Sequence, residues 1–155
     1  MKRRYIVFFA VAVLLFSFVS CGQKKDIVID IGTLSSEITE TFEGGEIEFV
    51  EINDETIDIH YGLKGMYNDA YCLGSITVTS DELLIIEATD EANAEKAYEL
   101  LGEYVNERIE LFASYAPEQV SKLEEALLQR AGKYVILLVA EDTTEAEKIW
   151  KKYRG

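Results

Sequence analysis

The first twenty residues divide this chain in two. Met1 to Ser20 contains fifteen apolar side chains, three basic ones and no acid. Lys2, Arg3 and Arg4 form a positive leader, and Ile6 to Phe16 form an eleven-residue apolar run, well short of the roughly 20 residues that a membrane-spanning helix needs. That layout predicts an export segment, so the fold has to be built from the remaining 135 residues. They carry 12 basic and 29 acidic side chains, and the net charge of 12 − 29 = −17 exceeds in magnitude the −14 of the whole chain. So acidic a domain lacks the basic footprint that nucleic-acid binding requires. Its length suits one domain with one core, and the apolar content is too high for a disordered chain.

The leader ends Phe18-Val19-Ser20-Cys21-Gly22. This resembles the lipobox of bacterial lipoproteins, with Phe18 standing where leucine is usual. The resemblance implies that Cys21 is diacylated through its sulfur with a lipid such as palmitate and that the leader is cut before it. It implies a lipid-anchored protein on the outer face of the cytoplasmic membrane in a Gram-positive type of envelope. The expected division is a signal peptide over 1–20, a lipidated cysteine with a short tether over 21–32, and a single domain over 33–155. Cys72 is then the only other cysteine, so no internal disulfide is available and the core has to hold the domain alone. No basic residue stands within four positions of Cys72 to stabilise a thiolate, and it reads as a small buried hydrophobe.

Thr33 and Ser35 are candidate caps for a helix with Leu34, Ile38 and Phe42 inward, ended by Gly44-Gly45. Glu46 to Ile52 alternates like a half-exposed strand, and Asn53-Asp54-Glu55 suits instead the cap of a helical turn carrying Ile57 and Tyr61, with local pattern leaving the two open. Gly62 to Asp69 reads as a loop. Gly74–Thr79 and Leu83–Ala88 read as a β-hairpin around Ser80-Asp81-Glu82. Thr89-Asp90 opens a long helix over about 91–114, with Ala94, Ala97, Tyr98, Leu101, Val105, Ile109 and Phe112 recurring at three- and four-residue steps along one face. A second helix is expected over 117–131, begun by Pro117 and closed by Gly132. Lys133–Ala140 is an unbroken apolar strand, and Asp142-Thr143-Thr144-Glu145 resembles a capping box for a last helix over 144–153.

Tyr71 and Gly74 ahead of Asp81-Glu82, Arg108 on the following helix, Tyr115 and Pro117, and Gly132-Lys133-Tyr134-Val135 before the last strand together resemble a family of short, uncharacterised lipoproteins of Gram-positive bacteria. That family is known as a domain of unknown function, and the resemblance spans about Thr33 to Tyr153. It implies this order of elements and the lipobox, and no reaction. The expected fold is a single α+β domain, with a small antiparallel sheet of three to four strands covered by three to four helices.

Candidate chemistry is sparse. His60 is the only histidine, too few imidazoles for a zinc site or a serine triad. No phosphate loop or nucleophile elbow is present. Asn53-Asp54-Glu55 with Asp58 lacks the spacing of a calcium loop, so neither a metal nor a cofactor is expected. Glu91, Glu95, Glu99, Glu103 and Glu107 recur every four residues. Each step drifts about 40° around the helix, so they form a solvated face and not one ridge.

Arg108 lies about 40° from the centre of the apolar stripe, so it has either to snorkel past the stripe's edge or to meet a carboxylate or carbonyl cluster; a structural ion pair is the expectation, ahead of ligand binding. Tyr61, Tyr67 and Tyr71 are the residues singled out for a recognition surface, since tyrosine combines contact area with a hydrogen-bonding end. The leading expectation is a non-enzymatic binding or interaction module, anchored to the membrane through Cys21 and meeting an envelope protein or wall component. The alternative is a small enzyme, or an enzyme accessory, working on envelope material through paired carboxylates.

Overall fold

The computed structural model describes residues 27–42 and 48–155. The expected export segment, Cys21, Gly44-Gly45 and the start of the strand expected over Glu46–Ile52 lie outside the described residues. The chain runs as α1 (Ile31–Thr39), a 3-10 turn (Glu40–Phe42), β1 (Phe49–Glu51), α2 (Asp54–His60), β2 (Tyr67–Ser75), β3 (Glu82–Ala88) and α3 (Glu91–Tyr115). It continues through a second 3-10 turn (Pro117–Gln119), α4 (Val120–Glu124), β4 (Leu127–Ala131), β5 (Tyr134–Val139) and α5 (Thr144–Arg154). The fold is α+β, with one sheet in the order β1-β2-β3-β5-β4 and every neighbouring pair antiparallel.

Five strands are therefore present among the described residues, more than the three to four expected. The extra count has a physical origin. Residues 117–131 do not continue as a helix: after α4 the chain straightens, and Leu127 to Ala131 pairs with Leu138 to Tyr134 as a hairpin. Gly132 has φ +56°, and among the described residues no non-glycine has a positive φ. A positive φ at the first turn position and not at the second is the pattern of a type II′ hairpin turn. A left-handed glycine serves a helix end or a hairpin turn equally well, and here pairing with the apolar β5 run decides.

The first hairpin strand is shifted as well. Tyr67–Ser75 forms β2, in register with β3 through Leu73↔Leu83 and Tyr71↔Ile85. The alternating Ile76 to Thr79 segment lies outside every strand among the described residues and forms the connection. Helix α1 begins before the expected caps, because Asp30 Oδ1 accepts from Thr33 N at 2.6 Å. Asn53 caps α2 through Thr56 N, resolving that stretch as helix. Ahead of α5, Asp142 accepts from Thr144 N at 2.8 Å and Thr143 makes no side-chain cap bond.

Both central strands are apolar on both faces, so each face needs a cover. On the front, Ala94, Ala97, Leu101 and Phe112 of α3, with Ile57, Tyr61 and Leu123, pack onto Leu84, Ile86, Val135 and Leu137. On the back, Leu34 and Ile38 of α1 and Ala146 and Trp150 of α5 cover Leu83, Ile85, Ile136 and Leu138. Glu37 ties the two back helices together by accepting from Lys152 Nζ at 2.9 Å and Tyr153 OH at 2.7 Å. Trp150 is completely buried at the centre of this layer. Trp150→Ala removes its largest side chain, and thermal or urea unfolding should show a loss of about 3–5 kcal/mol.

Candidate functional site

Three consecutive polar residues, Ser80, Asp81 and Glu82, are buried where the β2–β3 connection meets β3. A buried polar residue needs a partner, and each of these takes one from a different point of the chain. Ser80 N and Oγ both donate to Gln119 Oε1, at 3.1 and 3.3 Å. Asp81 receives Lys122 Nζ at 3.0 Å, the two side chains being 1% and 12% exposed. Glu82 receives Arg108 Nη1 at 2.8 Å, with the side chains 4% and 17% exposed.

Glu82 is the centre of a larger network. Tyr61 OH and Tyr104 OH both donate to its Oε2, at 3.0 and 2.9 Å. Arg108 Nη1 also donates to Tyr104 oxygen at 2.8 Å. A phenol has a single proton, and Tyr104 gives it to Glu82, so His60 Nε2, at 2.9 Å, has to be the donor in its contact with Tyr104. His60 is thereby set as the Nε2–H form. The same reasoning makes the Cys72 thiol the donor to Tyr61 oxygen at 3.5 Å. Proton donors thus converge from an exposed imidazole and a buried thiol onto one carboxylate. The rings of His60, Tyr61 and Tyr104 stand edge to face at 4.8–5.2 Å. The Arg108 guanidinium lies over Tyr104 and Phe112 at 5.5 and 5.1 Å.

Burial lifts the Glu82 carboxyl above its usual range, while Arg108 and the two hydroxyls pull it back. For Arg108, burial disfavours the charge, and Glu82 together with Tyr104 and Tyr61 outweighs it, leaving the guanidinium above its ordinary value. The first shift opposes the ion pair and the second favours it. The geometry decides for the ionised pair, because the Arg108 guanidinium stands 2.8 Å from Oε1 while two hydroxyls donate to Oε2. Oε1, next to Nη1, accepts no well-aligned hydrogen bond among the described residues. Burial pushes the Cys72 thiol up to about 11, which leaves it a protonated, poorly nucleophilic group at neutral pH.

The three singled-out tyrosines do not line one surface. Tyr61 is buried in the front layer, Tyr67 OH donates to Asp58 Oδ1 at 3.0 Å, and Tyr71 packs against the back layer. Arg108 contacts a carboxylate, and that carboxylate comes from Glu82. Glu82 and Tyr104 carry the network and were not singled out from the sequence. Two signals mark them: an acid directly ahead of the apolar Leu83–Ile86 run, and a tyrosine one helical turn before Arg108. The five α3 glutamates are all exposed. Among the described residues no group of three metal-binding side chains is gathered, and no helix is long and apolar enough to cross a membrane. An open groove of about 310 Å³ lies at the β4 edge, lined by Glu95, Tyr98, Gln129, Arg130 and Arg154.

Removing one partner of a buried ion pair strands the other charge. Arg108→Met should cost about 3–5 kcal/mol in urea unfolding, and Arg108→Met with Glu82→Leu should recover a large part of that loss. For His60, burial and then the positive Arg108 hold the imidazole below its ordinary 6.5. The folded state resists a proton that the unfolded chain accepts near 6.5. This contribution to stability is complete above that pH and fades as the pH falls through the folded value. As the sole histidine, His60 gives a single titrating NMR resonance whose midpoint should fall below 6.5. A midpoint above it would mean that Glu82, and not Arg108, governs the field at the ring.

Comparison with known proteins places the chain by family and by nothing narrower. Among curated proteins and solved structures there is no significant match. Residues 45–140, which include Glu82, Arg108, both network tyrosines and all five strands, match the family model described as "Domain of unknown function (DUF4358)", and the chain belongs to that family.

Proposed function

We propose that this protein is a membrane-anchored, non-enzymatic binding or interaction module, held by lipid on Cys21 at the outer face of the cytoplasmic membrane of a Gram-positive type of envelope. The observation that carries this reading is the β2–β3 connection. Ile76 and Val78 are 55% and 72% exposed there, although the segment is fastened at both ends. Ile76 N donates to Glu48 O at 3.2 Å, Ser75 N donates to Asp81 O, and Ser80 is held by Gln119. Apolar side chains presented on a fixed loop suit recognition of another macromolecule. Acids on the segments that meet this connection, Glu48 bonded to Ile76, Glu118 beside Gln119 and Glu141 near Lys122, suit a partner with basic residues beside an apolar contact.

The chemistry of Glu82 supports the same reading. Its raised pKa is the one feature that favours carboxylate catalysis, yet its oxygens face a guanidinium and two phenols. A glycosidase-type site sets a second carboxyl across a cleft. Asp81, the adjacent acid, is committed to Lys122.

Isolation of the anchored protein from its native envelope, with the unlipidated Cys21→Ala form as control, should enrich an envelope protein or wall component. Val78→Asp in the anchored protein should reduce that enrichment by roughly tenfold or more, equivalent to about 1.4 kcal/mol, with the melting temperature unchanged. Equal recovery from all three forms would overturn the proposal.

A further inference from the structure

Charge is distributed unequally between the two ends of the sheet. One end carries the β4–β5 turn, the α2–β2 loop, the start of α3 and the last turn of α5. The connections that place them together are specific: Ala88 N donates to Lys133 O, and Thr89 N donates to Met66 O. Arg130 meets Glu95 of α3 at 2.6 Å and shares a groove with Arg154. Lys64, Lys96, Arg130 and Lys133 belong to this end, as do Lys151, Lys152 and Arg154. The opposite end carries the β2–β3 connection, the end of α3, α4 and the β5–α5 connection. Between residues 97 and 129 the only cations are Arg108 and Lys122, against seven acids, and both of these cations face the buried Glu82 and Asp81. Lys148, paired with Glu145, lies part-way along α5.

The cationic end is not strongly positive. Lys133 pairs with Glu87, Arg130 with Glu95, Lys151 with Glu147 and Lys152 with Glu37. It is near balance, whereas the opposite end is a concentrated negative charge. The chain also arrives at the balanced end, because Ile27 packs against Gly132 of the β4–β5 turn, at 3.9 Å from the position a Cβ there would take. Only five residues separate Ile27 from Cys21, two of them Lys24 and Lys25, a reach of about 20 Å when fully extended.

We infer that the domain stands on an anionic lipid surface on its β4–β5 end, with the cations of that end against lipid headgroups and the acidic β2–β3 end directed away. This inference rests on the anchoring of Cys21 proposed above. Juxtamembrane Lys and Arg side chains are attracted to an anionic leaflet, and an acidic end in the same place would be repelled within a Debye length of about 8–10 Å. The short tether and the charge distribution therefore select the same orientation, and that orientation presents Ile76 and Val78 outward.

The test uses the full lipidated protein in vesicles of phosphatidylglycerol and phosphatidylcholine carrying a headgroup-linked energy acceptor. A donor is placed on Thr77→Cys or on Gly155→Cys, the buried Cys72 being inaccessible to labelling. β2 is nine residues long, about 30 Å, so transfer from residue 155 should exceed transfer from residue 77 by roughly twofold or more. Pure phosphatidylcholine vesicles, or the triple change Lys151→Glu, Lys152→Glu and Arg154→Glu, should shrink that difference. Equal transfer from both positions, greater transfer from residue 77, or a difference indifferent to both lipid charge and charge reversal overturns the inference. Flotation with the vesicles separates the two readings. Protein that floats and fails the transfer test refutes the orientation alone, whereas wild-type protein that floats no better than Cys21→Ala refutes the anchor and the orientation with it.

Discussion

The ionised Glu82–Arg108 pair is the constraint around which the front of the molecule is arranged. A carboxylate at the first position of a central strand cannot stay buried unpaired. Arg108 has to come from α3, Tyr61 from the end of α2, and Tyr104 from the turn of α3 facing both. Three elements distant in sequence are thereby fixed in rotation and in height above the sheet, beyond what apolar packing alone specifies. The neighbouring Asp81–Lys122 and Ser80–Gln119 contacts extend the same fastening to α4 and its preceding turn. The β2–β3 connection, exposed as it is, consequently has little freedom to move.

Where a single element settles its own conformation, the chain was legible. The long α3 with its stripe of Ala94, Leu101, Val105 and Phe112, the apolar runs of β3 and β5, and the last helix needed only periodicity and turn chemistry. Where two readings share a local pattern, the partner decided. Ile76 to Thr79 alternates as well as any strand, but β3 pairs with the preceding residues because Leu73 opposite Leu83 keeps both on the back face. Residues 127–131 have helix-compatible composition, and β5 draws them into a hairpin.

The site shows the same division between local and long-range information. A guanidinium on an apolar stripe announces that it needs a partner, and helical geometry is enough to say so. Which acid answers depends on forming the sheet first, and Glu82 is only one of several acids around that turn in the sequence. Nor does spacing reveal that Tyr61 and Tyr71, ten residues apart, fall on opposite faces of the sheet. The bulge between Tyr67 and Asp69 shifts the alternation within β2 itself.

The two faces of the sheet differ in where their cover comes from. Everything on the front face, α2, α3 and α4, lies inside residues 45–140, the span that matches the family. The back face is covered by α1 and α5, which lie before and after that span. The shared span is therefore two layers of a three-layer protein, the sheet and its front cover, with Leu83, Ile85, Ile136 and Leu138 left as an apolar plane if taken alone. A relative that shares only this span needs some other lid for that plane, its own flanking helices or a neighbouring subunit. In this chain the buried acid and its donors thus lie wholly inside the matched span, and the cover of the back face lies wholly outside it.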